Sequence, residues 1–289
     1  VSLFQAARSR RARRPDLAID LQGDSRALWL MAATGARARA GYANTGSAGL
    51  LTAIADLDEG VSFVEQNYRA IEAALGRAVP RRPFRWLDEE RRTRGAALMA
   101  GHLAQAGLSR NGPVIGIHPG AGRRIKEWPV ERFVELGRRL VKEKGATLVV
   151  TGSAGEAAKA GAITAALQGA ALDLSGRQTL GALAEVMSAC DAFVSCDTSV
   201  MHFACALGLP SVAIFGPSDP QRYFSGGDQG FGSGRTHIAL APALWCSPCN
   251  LIRRPPEECD RAPVPECLGQ ITTAAVFDAT VNVLQNPRA

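Results

Sequence analysis

At 289 residues the chain is long for one ordinary domain and comfortable for two. It contains no run of about 18 apolar residues that could span a bilayer as a helix, and the basic residues 1–14 are not followed by the apolar core of a signal peptide. The net charge of +6 is moderate, and much of it sits in residues 8–14, a run that could favour an acidic partner or form a solvated helix face.

Taken in chain order, residues 1–14 read as the tail of a helix and 17–21 as a short strand ending in Gln22-Gly23-Asp24. Residues 25–34 are helical and closed by Gly35, and Phe63, Val64, Tyr68, Ile71 and Leu75 recur at helical spacing. Pro80-Arg81-Arg82-Pro83 marks a break between lobes, and 89–107 form another helix. From 113 onward the alternation is regular. Strands are predicted at 114–117, 147–150, 172–174, 192–195 and 211–215. Helices are predicted from 129, from about 155, over 180–189, over 199–207 and over 272–285. This order predicts a doubly wound parallel sheet.

Ligands of such sheets bind beyond the carboxyl ends of the strands, at the switch point of strand order. Four loops occupy those ends, 118–128, 151–156, 175–179 and 195–202, and all are rich in glycine and polar residues. In the first, Gly120 and Gly122 allow close approach of backbone N–H groups to an anion. Lys126 adds a point charge there, and Arg123 and Arg124 add forked donors. The alternative is a solvated turn with surface arginines. The loop matches neither a P-loop nor a dinucleotide fingerprint. In the last loop, Asp197 or Thr198 can cap a helix whose N-terminus favours an anion, with His202 in its first turn. The alternative is an ordinary cap and a satisfied histidine. In 151–156, Glu156 either accepts from ribose hydroxyls or simply complements a helix N-terminus.

The set H-P-G-x-x-x-x-x-K-x-W-P (118–129), T-G-S-x-x-E (151–156), D-T-S-x-x-H (197–202) and F-G-P-S-D-P (215–220) resembles glycosyltransferase family 9, the ADP-heptose lipopolysaccharide heptosyltransferases. Residues 16–23 and Gly41-Tyr42 are similar to that family's N-terminal lobe. The resemblance covers nearly the whole chain. It implies an α/β protein of GT-B fold with two Rossmann-like doubly wound lobes. It also implies heptosyl transfer from ADP-heptose, or a related nucleotide-sugar, to the inner core of lipopolysaccharide. By that likeness Lys126 meets phosphate and ribose, Glu156 the ribose, the backbone of Thr198 and Ser199 the pyrophosphate, Asp197 the donor sugar, His202 supports the site, and Arg177 and Gln178 meet the base. No metal is needed if Lys126 and helix dipoles stabilise the leaving diphosphate.

Two departures accompany the likeness. Ser199 stands where the family commonly has Gly, and its N–H is still available. The family's general base, an Asp in a Gly-Asp pair after the first strand, has no matching position; Gly23-Asp24 follows a later strand. No catalytic base is therefore assigned. The expectation is an incomplete N-terminal lobe and a chain that binds donor, with a catalytically incomplete nucleotide-binding module as the alternative. The expected division is 1–105 for the partial acceptor-side lobe and linker, 106–271 for the nucleotide-sugar lobe, and 272–289 for a helix packing back on the N-terminal lobe. Cys246, Cys249, Cys259 and Cys267 could hold a structural zinc, pair as disulfides or stay free; only one C-x-x-C is present. Cys190, Cys196 and Cys205 read as reduced core residues. The expected location is cytoplasmic, at the inner face of the inner membrane, with peripheral membrane contact. No nucleic-acid partner is expected, because residues 8–14 lack the interleaved aromatics of a single-strand site.

Overall fold

The structure, a computed structural model, describes residues 14–44, 46–81, 86–226, 236–249, 259 and 264–285. The helix expected over 1–14 and nearly all of its basic run lie outside these residues. The chain divides into two compact units, residues 1–82 and 83–289. The break falls at the proline-arginine stretch, and the helix after it belongs to the second unit.

The first unit holds a three-stranded parallel sheet in the order β1 (Leu17–Ile19), β2 (Ala38–Tyr42), β3 (Ala53–Ala55). Helix α1 (Ser25–Thr34) follows β1, and α2 (Phe63–Leu75) follows β3. At the end of β1, Asp20 is buried and accepts from the N–H groups of Gln22 (2.9 Å) and Gly23 (3.1 Å), closing the turn into α1. Asp24 caps α1 by accepting from Arg26 N–H at 2.8 Å and pairs with the Arg26 guanidinium. Tyr42 packs on Ala55 and Ala70, and its hydroxyl donates to Gln66 O at 2.9 Å. Strands β2 and β3 escaped the sequence reading, because both are alanine-rich and carry little of the β-branched signature.

The second unit is built on a six-stranded sheet, every pairing parallel. Its elements are α3 (Glu89–Gln105), β4 (Val114–His118), α4 (Val130–Lys144), β5 (Thr147–Val150), α5 (Ala157–Ala166), β6 (Ala171–Asp173), α6 (Leu180–Ser188), β7 (Ala192–Cys196), α7 (Ser199–Ala206), β8 (Ser211–Ile214), α8 (Pro220–Tyr223), β9 (His237–Leu240), α9 (Glu266–Gln270) and α10 (Thr273–Gln285). The order β6-β5-β4-β7-β8-β9 reverses direction between β4 and β7. Every residue of β4, β5, β7 and β8 is buried, as a parallel sheet covered on both faces requires.

Alternation along each strand divides the core. Ile115 and Ile117 face a layer with Phe133, Leu136, Leu140 and Ile163 of α4 and α5 and Val276 and Val283 of α10. Val114 and Val149 face Met99 and Leu103 of α3, Ala184 and Met187 of α6 and Ala204 of α7. Each such aliphatic side chain contributes about 1.5–3 kcal/mol on burial. Helix α10 packs on α4, β7, β8 and β9.

Helices α3 and α6 touch at Gly95. A side chain there would meet the Glu185 carbonyl carbon at 2.7 Å and Ser188 Oγ at 2.9 Å. Beside this contact, buried Glu185 accepts from Arg91 Nε at 3.0 Å and Arg94 Nε at 2.7 Å. Arg94 first, and then Arg91, hold the Glu185 carboxyl at about 2 against the opposing effect of burial. A folded-state value below the unfolded one, about 4.3, means that this stabilisation is complete above pH ~5 and is lost as pH falls toward 2. In urea unfolding, the stability gap between wild type and Glu185→Gln should close over that window. A gap independent of pH would assign the effect to packing instead.

Candidate functional site

The polar loops gather at the carboxyl ends of β4, β5, β6 and β7. After β4 the chain forms a short 3₁₀ turn, Arg124–Lys126, anchored by buried Ile125 and Trp128. Trp128 stacks edge-on against Phe133 with centroids 4.9 Å apart, and its indole N–H donates to Ile271 O at 2.9 Å. Lys126 projects from this anchored turn. Its Nζ lies 2.6 Å from Asp197 Oδ2 and 5.8 Å from the centroid of the Tyr223 ring. Gly122 is exposed with open space around it, and Arg124 is exposed, as a solvent-facing rim would be.

Asp197 follows β7, with a side chain only 6 % exposed. It does not cap α7. Thr198 occupies the N-cap in extended conformation (φ −149°, ψ 170°) and makes no side-chain cap bond. The Thr198 side chain thus accepts from none of the first-turn N–H groups of α7, which lie beside a lysine, where an anion is favoured. Ser199 is exposed at this helix start. His202, one turn on, shares a 2.8 Å hydrogen bond between Nδ1 and Ser225 Oγ. Burial lowers its imidazole pKa, with Asp197 opposing and Lys126 adding to the shift.

Glu156 closes the turn after β5. Its Oε2 accepts from Ser153 N–H at 2.6 Å, forming a capping box, so the structural role read from the sequence is real. The carboxylate also lies directly over Gly120, in the space a Cβ would take. Gly120 is therefore glycine because Glu156 rests on it. Oε1 faces buried His118, 3.8 Å from Nε2, and His118 Nδ1 lies 3.0 Å from Thr151 Oγ1. Burial lowers the His118 pKa, which Glu156 opposes and Lys159 reinforces. Burial acts to raise the Glu156 carboxyl, but hydrogen bonds from Ser153, with His118 and Lys159, outweigh it and hold the carboxyl below its ordinary value.

The loop after β6 is tied to this turn, Gly176 N–H donating to Gly152 O at 2.8 Å. Arg177 is exposed there, and Gln178 Nε2 lies 3.3 Å from His102 Nε2 of α3. Of the residues proposed from the sequence, Lys126, Asp197, Thr198, Ser199 and His202 form one group. Gly120 and Glu156 form a second group on the neighbouring strand ends. Arg123 shares only the loop. His118, Thr151, Ser225 and Tyr223 were not singled out. For His118 and Thr151 a signal existed, because each ends or follows one of two strands that turn out to be neighbours.

The cysteines divide as their surroundings dictate. Cys190, Cys196 and Cys205 are buried thiols, and burial pushes Cys196 up to about 12. Cys246, Cys249, Cys259 and Cys267 are thiols as well. Burial, and then the neighbouring Cys249, Cys259 and Cys246, raise the Cys267 thiol to about 11. Among the described residues no group of three His, Cys, Asp or Glu side chains is placed to hold a metal.

The family profile for glycosyltransferase family 9 (heptosyltransferase) matches residues 3–254. Lipopolysaccharide heptosyltransferase 2 of Escherichia coli is 38% identical over 121 residues, covering 40% of this chain and 34% of that protein. Lipopolysaccharide heptosyltransferase 1 of Pseudomonas aeruginosa is 33% identical over 124 residues, covering 43% and 32%. The matched stretches thus span about a third of these curated relatives. Among solved structures, E. coli ADP-heptose lps heptosyltransferase II has a TM-score of 0.74 at 23% identity, over 99% of this chain and 81% of that one. The glycosyl transferase family 9 structure from Veillonella parvula has a TM-score of 0.76 at 21% identity, over 98% and 78%. E. coli heptosyltransferase WaaC with ADP has a TM-score of 0.67 at 19% identity, over 95% and 75%. The structural likenesses establish the GT-B fold. With a profile match from residue 3 to residue 254, the chain belongs to glycosyltransferase family 9, the heptosyltransferase family.

Proposed function

We propose that this protein transfers heptose from ADP-heptose to the inner core of lipopolysaccharide. The observation that carries the reading is the meeting of Lys126, Asp197 and the uncapped N-terminus of α7 at the switch point between β4 and β7. A leaving diphosphate develops negative charge, and a lysine with a helix N-terminus is placed to meet it. Glu156 takes the ribose hydroxyls and Asp197 the sugar hydroxyls. Arg177 and Gln178 meet the base. WaaC, one of the similar structures, is a heptosyltransferase with ADP. The acceptor carries phosphate and lipid, so the protein would work at the inner face of the inner membrane. No helix among the described residues is long and apolar enough to cross a membrane.

Thermal unfolding with ADP, UDP and GDP tests the reading. A nucleotide at about 100 times its Kd stabilises by roughly 2.7 kcal/mol, a rise on the order of 5–10 °C for a unit of this size. ADP should give that rise and UDP and GDP should not. A rise with UDP or GDP instead would change the donor. A rise with ADP but no heptosyl transfer to lipopolysaccharide acceptor would make the chain a nucleotide-sugar-binding module.

A further inference from the structure

His118 ends β4, is buried, and has no role in the proposal above. Its two ring nitrogens have different neighbours. Nδ1 lies 3.0 Å from Thr151 Oγ1, and Nε2 lies 3.8 Å from Glu156 Oε1. The Thr151 hydroxyl can donate either to Ile117 O, at 3.3 Å, or to Nδ1. Ile117 O already accepts the Thr151 backbone N–H at 2.8 Å. Donation to Nδ1 therefore leaves no group unpaired, and it puts the ring proton on Nε2, facing the carboxylate. The opposite tautomer would aim a lone pair at a negative charge.

The carboxylate is held from its other side as well. Ser153 N–H binds Oε2 at 2.6 Å, and Gly120 offers a flat floor beneath the group. Oε1 is the oxygen that the capping box does not use.

We propose that His118 is a positioning residue: its Nε2–H fixes the direction of Glu156 Oε1, so that this oxygen can accept from the ribose hydroxyls of a bound nucleotide. Thr151 sets the tautomer that does so. The inference rests on the reading of Glu156 as the ribose acceptor.

The test compares the Kd of ADP with that of 2′,3′-dideoxy-ADP, by calorimetry on the full chain. Wild type should favour ADP by about tenfold, the size of one charge-assisted hydrogen bond. His118→Gln keeps a donor near the Nε2 position and should retain most of that preference. His118→Asn reaches only the Nδ1 position and should lose it, with dideoxy-ADP affinity unchanged within about twofold. A merely structural histidine would weaken both ligands together. Thr151→Val, which removes the hydroxyl at nearly constant volume, should also lose the preference and serves if His118→Asn does not fold.

Two results would overturn the inference, and they are distinguishable. If Glu156→Gln abolishes the preference while His118→Asn and Thr151→Val keep it, Glu156 reads the ribose without help from His118. If wild type shows no preference, the ribose reading of Glu156 falls, and this inference falls with it.

Discussion

Lys126→Ala is expected to abolish the thermal shift produced by ADP and to weaken ADP binding by about 100-fold or more, ~3 kcal/mol. A unit charge about 4 Å from a phosphate charge gains roughly 4 kcal/mol at an effective dielectric of 20, somewhat less once solvent screens it. The loss is compounded by what the lysine leaves behind. Asp197, with a side chain 6 % exposed, would face the incoming diphosphate with no cation at 2.6 Å. Truncating one partner of a buried pair costs more than the pair itself is worth. Lys126→Ala combined with Asp197→Asn should therefore bind ADP more tightly than Lys126→Ala alone. Unchanged ADP affinity in Lys126→Ala would show that the loop after β4 is not the anion site. The α7 N-terminus alone would then have to hold the phosphates, which the Asp197→Asn variant can check by binding ADP as wild type does or better.

The second large effect is on stability. Trp128→Ala should lower the unfolding free energy by about 3–5 kcal/mol, seen as a fall of roughly 10 °C or more in Tm. Trp128 is 1 % exposed, packs edge-on against Phe133, and sits between the Lys126 turn and Ile271 before α10. Trp128→Phe, which keeps an aromatic ring and loses the N–H, should cost only about 1 kcal/mol, the usual net value of one hydrogen bond. The acceptor is not orphaned, because Ile271 O also accepts from Arg132 Nη1 at 2.6 Å. The two substitutions differ in what they report. If Trp128→Ala also weakens ADP binding at temperatures where it is fully folded, the tryptophan positions Lys126 as well as filling the core. Equal stability of the two variants would mean that the indole adds little packing.

These variants also bear on how the site is arranged before any ligand arrives. Lys126 and Asp197 neutralise each other, and Glu156 is held by Ser153 and faced by His118. Groups held by protein partners need little reordering when a donor binds, and such preorganisation conserves affinity. The start of α7 is the exception, since the Thr198 side chain takes none of its N–H groups.

Much of the second unit was legible from residue order. Strand runs such as Thr147–Val150 and helix periods such as Phe133, Leu136 and Leu140 follow from burial on two faces or on one. The first unit was less so. Ala38–Tyr42 becomes a strand because β1 and β3 pair with it on either side, which no local propensity announces.

The sequence by itself determined the fold class, the four strand-end loops and the family, because hydrophobic period and motif order are local properties of a chain. Only the tertiary structure decided the partners. Asp197 could have capped its own helix, but the neighbouring of β4 and β7 brings Lys126 within 2.6 Å and redirects it. Gly120 looked like an anion-binding glycine, yet the pairing of β4 with β5 sets Glu156 on it. Gly95 of α3 is glycine because α6 approaches it, leaving no room for a side chain. In each case a short side chain or a charge found its counterpart tens of residues away, and only strand order or helix packing brings such pairs together.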